Sequence, residues 1–373
     1  MKVLFLISSL GCGGAERVTA CLSNHWAGKG WDVTIMTLAG CDRDFYALEP
    51  SVRRSALGLS RDSRHMLSGA LNNMRRLVRL RREIRERRPD VAIGMMTGAN
   101  CLLALACAGL GLTVLGSERI HPPLFPLSPV WQRVRRLTYP HLDGIVAQTA
   151  QSACWLRENA GARSVTVIAN PLEYPLQSHE PRVDPKDILG GGPGRKVLLA
   201  VGRLEAQKGF DRLLEAFARL APRVPDWRLV ILGEGGLRAE LHRQAATLGI
   251  AERACFPGRV GNIADWYMAA DLYVLTSRYE GFPNTLLEAM AHGLPVVAVD
   301  CETGPRDVIR PGVDGLLVPQ GDQTGLTAAL ERLMSDESLR RRLGREARSV
   351  RERFATARIA RLWEDFMKSV GVK

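Results

Sequence analysis

The sequence predicts an α/β protein of two halves, each a mostly parallel sheet with helices on both faces. Three observations predict it. Short, uniformly apolar runs alternate with amphipathic stretches along the chain, the pattern of parallel strands covered on both sides. The rhythm breaks once, over residues 171–195, where five prolines and a Gly-Gly-Gly-Pro-Gly run make linker chemistry. It then restarts, and 373 residues suffice for two or three domains without a disulfide or metal staple.

In the first half, Val3–Ser8, Asp32–Thr37, Val91–Gly94, Thr113–Gly116, Gly144–Ala147 and Val165–Ile168 read as buried strands. Helical patterns fill about Ala15–Ala27, Leu67–Glu86 and Ala150–Glu158. Met1–Ile7 followed by Cys12 imitates a lipoprotein leader, but its apolar core is very short and a Gly-rich loop follows, so a first strand is read there. Val91 to Ser117 runs 27 residues without a charge, enough to span a bilayer. Five glycines punctuate it, and it parses as strand, short buried helix (Asn100–Ala108) and strand.

In the second half the strands read are Lys196–Val201, Arg228–Leu232, Ala254–Phe256, Leu272–Thr276, Pro295–Val299 and Gly315–Val318. Helices are read near Phe210–Leu220, Leu237–Leu248, Thr285–Ala291 and Gln323–Met334, with an amphipathic stretch at Ala357–Val370. The expected organisation is a first domain at 1–170, a linker at 171–195, a second domain at 196–352, and a segment 353–373 whose helix packs back toward the first. Two facing Rossmann-like domains imply a cleft between them, with ligands beyond the strand carboxyl ends.

A composition of 46% hydrophobic and 24% charged residues excludes disordered, collagen-like and coiled-coil chains. With 51 Lys and Arg against 39 Asp and Glu, the net charge of +12 asks for an acidic counterpart: nucleic acid, an anionic membrane or a phosphorylated substrate. The eight cysteines are scattered with no CxxC pair. They read as reduced, mostly buried thiols of a cytosolic protein rather than as a zinc site or a disulfide scaffold.

Three loops at strand ends carry the chemistry. Ser277-Arg278-Tyr279-Glu280-Gly281-Phe282-Pro283-Asn284-Thr285 leads from a strand into a helix, whose N-terminal N–H groups suit a phosphate. Glu280 sits in the mouth of that loop. Glu288 lies on the first turn of the helix, where Thr285-x-x-Glu288 also matches a capping box. Gly202-Arg203-Leu204-Glu205-Ala206-Gln207-Lys208-Gly209 places two cations five residues apart, able to grip a diphosphate. Cys301-Glu302-Thr303-Gly304-Pro305-Arg306-Asp307 offers further backbone donors. In the first half, Gly11-Cys12-Gly13-Gly14-Ala15-Glu16 lets backbone approach a ligand, and Gly116-Ser117-Glu118-Arg119-Ile120-His121 puts ionisable groups at a strand end. Arg119 and His121 are candidates there, and Glu118 a weaker one.

Taken in order, the Gly-Gly-Ala-Glu-Arg loop, Gly-Arg-x4-Lys-Gly, Glu-x7-Glu and Thr-Gly-Pro-Arg-Asp resemble family 4 retaining glycosyltransferases of the GT-B fold, over nearly the whole chain. Gly116-Ser117-Glu118-Arg119 resembles the branch extending polysaccharides and lipid-linked oligosaccharides, including bacterial N-glycan N-acetylgalactosamine transferases. The resemblance implies a nucleotide-sugar donor, UDP-linked by expectation, carrying a hexose or N-acetylhexosamine to a hydroxyl of a glycan acceptor. By it, Arg203 and Lys208 hold the donor diphosphate, Glu280 the transferred sugar and Glu288 the ribose. Backbone at Gly13, Gly14, Gly281, Phe282, Pro283, Asn284 and Thr285 lines the phosphates. Many relatives carry a His where this chain has Arg119, which weighs against a catalytic role for His121. Retention implies that the leaving phosphate takes the acceptor proton, so no cofactor and no metal are expected. Asp42-Arg43-Asp44 imitates a metal-binding Asp-x-Asp but lies in the wrong loop, and a solvated turn is expected.

Residues 61–88 hold ten arginines against Asp62, Glu83 and Glu86. Leu67, Ala70, Leu71, Met74, Leu77 and Val78 form an apolar helical stripe, with Arg75, Arg76, Arg79 and Arg82 on the opposite arc. The expectation is a surface for anionic lipid or lipid pyrophosphate, on an enzyme held peripherally at the cytoplasmic face of the membrane. A sugar-nucleotide epimerase of the same fold is the rival reading. Nucleic-acid binding fits the basic charge, but no recognition helix, zinc finger or stacking strand supports it.

Overall fold

The computed structural model describes residues 1–42, 44–59, 66–190 and 194–372, with residues 66–73 described by backbone only. Arg43, residues 61–65 of the basic segment, residues 191–193 of the linker and the side chains of Leu67, Ala70 and Leu71 lie outside the described residues. The chain divides into two compact units, Met1–Pro171 with the segment from Thr356, and Leu172–Ala355.

Unit 1 runs β1 (Lys2–Ile7), α1 (Gly14–Gly28), β2 (Asp32–Thr37), β3 (Arg53–Ala56), α2 (Met66–Arg87), β4 (Val91–Met95), α3 (Thr97–Cys107), β5 (Thr113–Ser117), α4 (Pro129–Thr138), β6 (Gly144–Ala147), α5 (Ala150–Ala160) and β7 (Val165–Val167). The strands pair in parallel in the order β3-β2-β1-β4-β5-β6-β7. β1, β4 and β6 are buried along almost their whole length, as strands with helices on both faces must be. β3 was not read from the sequence. It is the polar run Arg-Arg-Ser-Ala at the sheet edge, where one neighbour and half-exposure remove the need for an apolar pattern. The charge-free stretch resolves into β4, α3 and β5, and among the described residues no helix is long and apolar enough to cross a membrane.

Unit 2 runs α6 (Pro185–Leu189), β8 (Lys196–Val201), α7 (Phe210–Leu220), β9 (Trp227–Leu232), α8 (Arg238–Thr247), β10 (Ala254–Gly258), α9 (Ile263–Ala269), β11 (Leu272–Leu275), α10 (Asn284–Ala291), β12 (Val296–Asp300), α11 (Pro305–Val308), β13 (Leu316–Pro319), α12 (Gln323–Ser335), α13 (Glu337–Ala347) and α14 (Val350–Arg353). Its parallel sheet has the order β10-β9-β8-β11-β12-β13. The order reverses between β8 and β11, and beyond the carboxyl ends of strands flanking such a switch a ligand crevice opens. α7 shows why the helices dock: Phe210, Leu213, Leu214, Phe217 and Leu220 recur at three- and four-residue spacing and all are buried.

α15 (Thr356–Ser369) belongs to unit 1. Trp26 Nε1 donates to Glu364 Oε1 at 3.0 Å, Lys29 Nζ stands 2.8 Å from the same oxygen, and Trp363 is fully buried. The thiols are more varied than expected. Among the described residues no disulfide joins them; Cys21, Cys101, Cys107 and Cys301 are buried, whereas Cys12, Cys41 and Cys154 are exposed.

The arginine helix is turned differently from the expected stripe. Met74 and Val78 are 60% and 64% exposed. The row facing the core is instead the half-buried Leu77 with the buried Leu80 and Ile84. Arg76 donates to Leu59 O (3.0 and 2.8 Å) and Arg81 to the carbonyls of Ala106 and Ala108, each at 2.8 Å. Two cations therefore serve neighbouring carbonyls, while Arg75, Arg79 and Arg82 share the exposed face with Met74 and Val78.

Candidate functional site

In unit 2 the three loops read from the sequence meet beyond the ends of β8, β11 and β12. Gly209 closes the first at φ +64°, and a Cβ there would lie 2.2 Å from Thr276 O, so only glycine allows the first two loops to touch. Arg278 N donates to Gln207 O at 2.7 Å, Gln207 Nε2 to Tyr279 O at 3.0 Å and Thr276 Oγ1 to Lys208 O at 2.9 Å. The third loop closes from the other side. Thr303 Oγ1 donates to Glu280 O, and a Cβ on Gly304 (φ +102°) would lie 2.8 Å from the Pro283 ring.

Glu280 is the buried centre of this junction. Its Oε1 accepts from Lys208 Nζ at 2.6 Å and from Ser277 Oγ at 2.6 Å. Ion pair and hydroxyl together hold the carboxylate in one place. Arg203 is exposed at the first loop, its Nη2 bonded to Gln207 Oε1 at 3.1 Å. The structure thus brings Lys208 and Glu280 together and leaves Arg203 at the solvent edge.

Helix α10 begins at Asn284 with Pro283 at its N-cap, so Thr285 is not the cap and the capping box does not form. Thr285 Oγ1 instead accepts from Tyr273 OH at 2.8 Å, and the buried Glu288 takes Tyr267 OH on Oε2 at 3.0 Å. Burial, assisted by Arg351, lowers the His292 pKa to about 4, and its Nδ1 lies 2.7 Å from Glu288 O. Burial of the Cys301 thiol beside Glu280 pushes its pKa to about 12, leaving it neutral.

Sequence reading missed the loop after β9. Leu204 N donates to Glu234 O at 2.9 Å, Leu237 N to Leu204 O at 2.9 Å and Gly236 N to Glu205 Oε1 at 3.2 Å, so this loop props the Arg203 loop from behind. The signal was present: Gly233-Glu234-Gly235-Gly236 directly follows an apolar run. Ser277 and Gln207, which fix Glu280 and the neighbouring backbone, carry no sequence pattern of their own.

In unit 1, Gly13 caps α1 in extended conformation, and its carbonyl accepts from Tyr46 OH at 3.0 Å. Glu16 folds back over Gly13, and burial raises its pKa. Glu118 is buried with Thr97 Oγ1 at 2.8 Å and Tyr139 OH as donors, and burial raises its pKa. His121 Nδ1 lies 2.8 Å from Ser152 Oγ in the first turn of α5, and Arg119 is buried beside Asn170. Asp44 is held by Arg54 through two contacts of 2.7 and 2.9 Å, and among the described residues no group of three potential metal ligands occurs.

Two family models match the chain, Glycosyltransferase Family 4 over residues 12–173 and Glycosyl transferases group 1 over residues 186–350. A lipopolysaccharide core biosynthesis glycosyltransferase, LpsE of Rhizobium meliloti, is 30% identical over 89% of this chain and 88% of its own. The α-1,4-N-acetyl-D-galactosaminyltransferase of Campylobacter jejuni that is named for a diNAcBac-PP-undecaprenol-linked glycan is 28% identical over 97% of both chains. An exopolysaccharide phosphotransferase of Streptomyces coelicolor is 36% identical over 61% of this chain, which spans only 24% of that longer protein. The solved structure of Anabaena HepE with UDP superposes at a TM-score of 0.79 over 99% of this chain and 100% of its own, at 22% identity. Two parallel α/β units, converging loops at the strand ends and full-length relatives agree: the chain belongs to the family 4 glycosyltransferases, with the GT-B fold.

Proposed function

We propose that this glycosyltransferase moves a hexose or N-acetylhexosamine from a UDP-sugar to a hydroxyl of a lipid-linked glycan, with retention at the anomeric carbon. The observation that carries the reading is the Lys208–Glu280–Ser277 cluster at the meeting point of three strand-end loops. A glycosidic C–O bond to diphosphate breaks as positive charge grows on the sugar and negative charge on the leaving group. Lys208 and the exposed Arg203 take up the diphosphate charge, with backbone N–H groups at the start of α10 beside them. Glu280, pinned by Ser277, accepts hydrogen bonds from sugar hydroxyls, while Glu288 and Gly281–Thr285 receive the nucleotide. The leaving phosphate takes the acceptor proton, so the reading requires no cofactor, metal or protein base. Arg119, His121, Gly13 and Gly14 are the ligand-contacting candidates of unit 1.

The exposed face of α2 supports a membrane-borne acceptor. Arg75, Arg79 and Arg82 flank the exposed Met74 and Val78, a mixture suited to anionic headgroups over an apolar layer. Arg76, turned to Leu59 O, belongs to the fold more than to that surface. The enzyme then works as a peripheral protein on the cytoplasmic leaflet. The test is transfer from UDP-sugars to lipid-linked glycan acceptors by wild type and Glu280→Gln. Nearly complete loss with an unchanged circular-dichroism spectrum is expected; wild-type turnover by the variant, or sugar conversion without acceptor, contradicts the reading.

A further inference from the structure

Arg119 lies two residues beyond the end of β5 and is 7% exposed. Strand alternation sends Glu118 one way, to Thr97 and Tyr139, and Arg119 the other, where its guanidinium carbon stands 5.3 Å from the Trp363 ring of α15. Its Nη1 donates to Asn170 Oδ1 at 3.0 Å. Nε and Nη2 are buried without a hydrogen-bond partner among the described residues. Those two atoms form one edge of the guanidinium, the edge that grips a carboxylate or phosphate side-on with two parallel bonds.

The surroundings extend the pattern. Asn170 Oδ1 also accepts from Gln148 Nε2 at 2.8 Å, and Gln148 Oε1 is buried without a partner. Gln148 and Asn170 follow β6 and β7, so the ends of three adjacent strands bring a two-donor fork and a spare acceptor to one edge of the unit 1 sheet. Burial lowers the Arg119 pKa to about 9, which leaves it cationic at neutral pH. Glu118, the preceding residue, works against the burial, but only Nη1 has a hydrogen-bond partner, and buried donors left unpaired are costly to keep. Pinning α15 to Asn170 would require neither the charge nor the two spare donors.

We propose that Arg119, Gln148 and Asn170 form an oxyanion subsite in unit 1, which takes a phosphate or carboxylate group of a substrate on Nε–H and Nη2–H and a neighbouring hydroxyl on Gln148 Oε1. Which substrate carries the group rests on the glycosyl-transfer reading; the subsite itself does not.

The experiment uses the full chain carrying Arg203→Ala and Lys208→Ala, which removes the phosphate-binding cations of unit 2. Inorganic pyrophosphate and D-glucuronate are titrated into it by calorimetry, with and without Arg119→Gln or Arg119→Lys. Saturable binding of one anion is expected, weakened about tenfold or more by either change, since Lys keeps the charge and loses the fork. Pyrophosphate as the bound anion identifies a phosphate source, glucuronate a sugar carboxylate. The ligand-free Tm of the Arg119→Gln protein should equal or exceed that of its parent, because two buried donors without partners are removed. No binding of either anion, or equal binding with and without Arg119, overturns the subsite; a lowered Tm with unchanged binding assigns Arg119 to α15 packing. Loss of UDP binding on Arg203→Ala/Lys208→Ala is measured separately, so the donor reading fails or stands independently.

Discussion

Lys208 Nζ and Glu280 Oε1 lie 2.6 Å apart, with 15% and 7% of their side chains exposed. The cation proposed for the diphosphate and the carboxylate proposed for the sugar are therefore one electrostatic unit. Lys208 positions Glu280, and neither is replaceable without changing the other's environment.

Lys208→Ala should lower kcat/KM on the order of a hundredfold and destabilise unit 2 by about 3 kcal/mol, because it strands a buried carboxylate. Adding Glu280→Gln should restore much of the stability and none of the activity. Urea unfolding of the two single variants and the double variant checks this; additive losses would show that the pair does not interact.

Arg203 is exposed, so Arg203→Ala should leave the unfolding midpoint unchanged while cutting kcat/KM on the order of a hundredfold. A loss below about threefold, roughly 0.7 kcal/mol, removes it from the diphosphate site. The same assay in EDTA should retain full activity. Abolition by EDTA and rescue by Mg²⁺ or Mn²⁺ would reopen Asp42 and Asp44 as ligands.

On α2, charge reversal of Arg75, Arg79 and Arg82 should release the protein from anionic vesicles in sedimentation, each cation near the surface contributing about 1 kcal/mol. Wild-type binding should weaken with salt. Replacing Met74 and Val78 by serine should weaken binding without changing the salt dependence. Equal sedimentation of all three proteins returns the helix to a solvated face.

His292 gives a pH prediction. Its folded pKa of about 4 lies below the ordinary histidine value, first through burial and then through Arg351. The unfolded chain therefore binds more protons between about pH 6.5 and 4, and stability falls as pH drops through that window. His292→Gln should show a flatter Tm-versus-pH curve there. A wild-type slope in the variant locates the acid sensitivity elsewhere.

How much was legible depended on whether a pattern was local. Strands such as β1 and β8 announce themselves because burial on both faces makes them continuously apolar, whereas edge strand β3 carries no such mark. Gly209 and Gly304 stood in recognisable loops, and their meeting with Thr276 and Pro283 fits the convergence expected of those loops. The turn of α2 was misread because Met74 and Val78 suit a core stripe as well as they suit exposure; only packing of Leu77, Leu80 and Ile84 decides it. Ser277 stood in a recognisable loop without a role of its own, and Gln148 was invisible, since a single polar residue gains meaning only from its partners in the fold.

α15 follows unit 2 in the chain, yet it completes unit 1. Trp363, Ile359 and Met367 are each buried, and burial of such a side chain is worth about 1.5–3 kcal/mol. On the ribosome, unit 2 is therefore fully synthesised while the α1 side of unit 1, with Trp26 and Cys21, still waits for its cover. Topologically, unit 2 is an insertion in unit 1. The order of biosynthesis leaves that face of the nascent first unit uncovered until the fourteen-residue α15 emerges and docks.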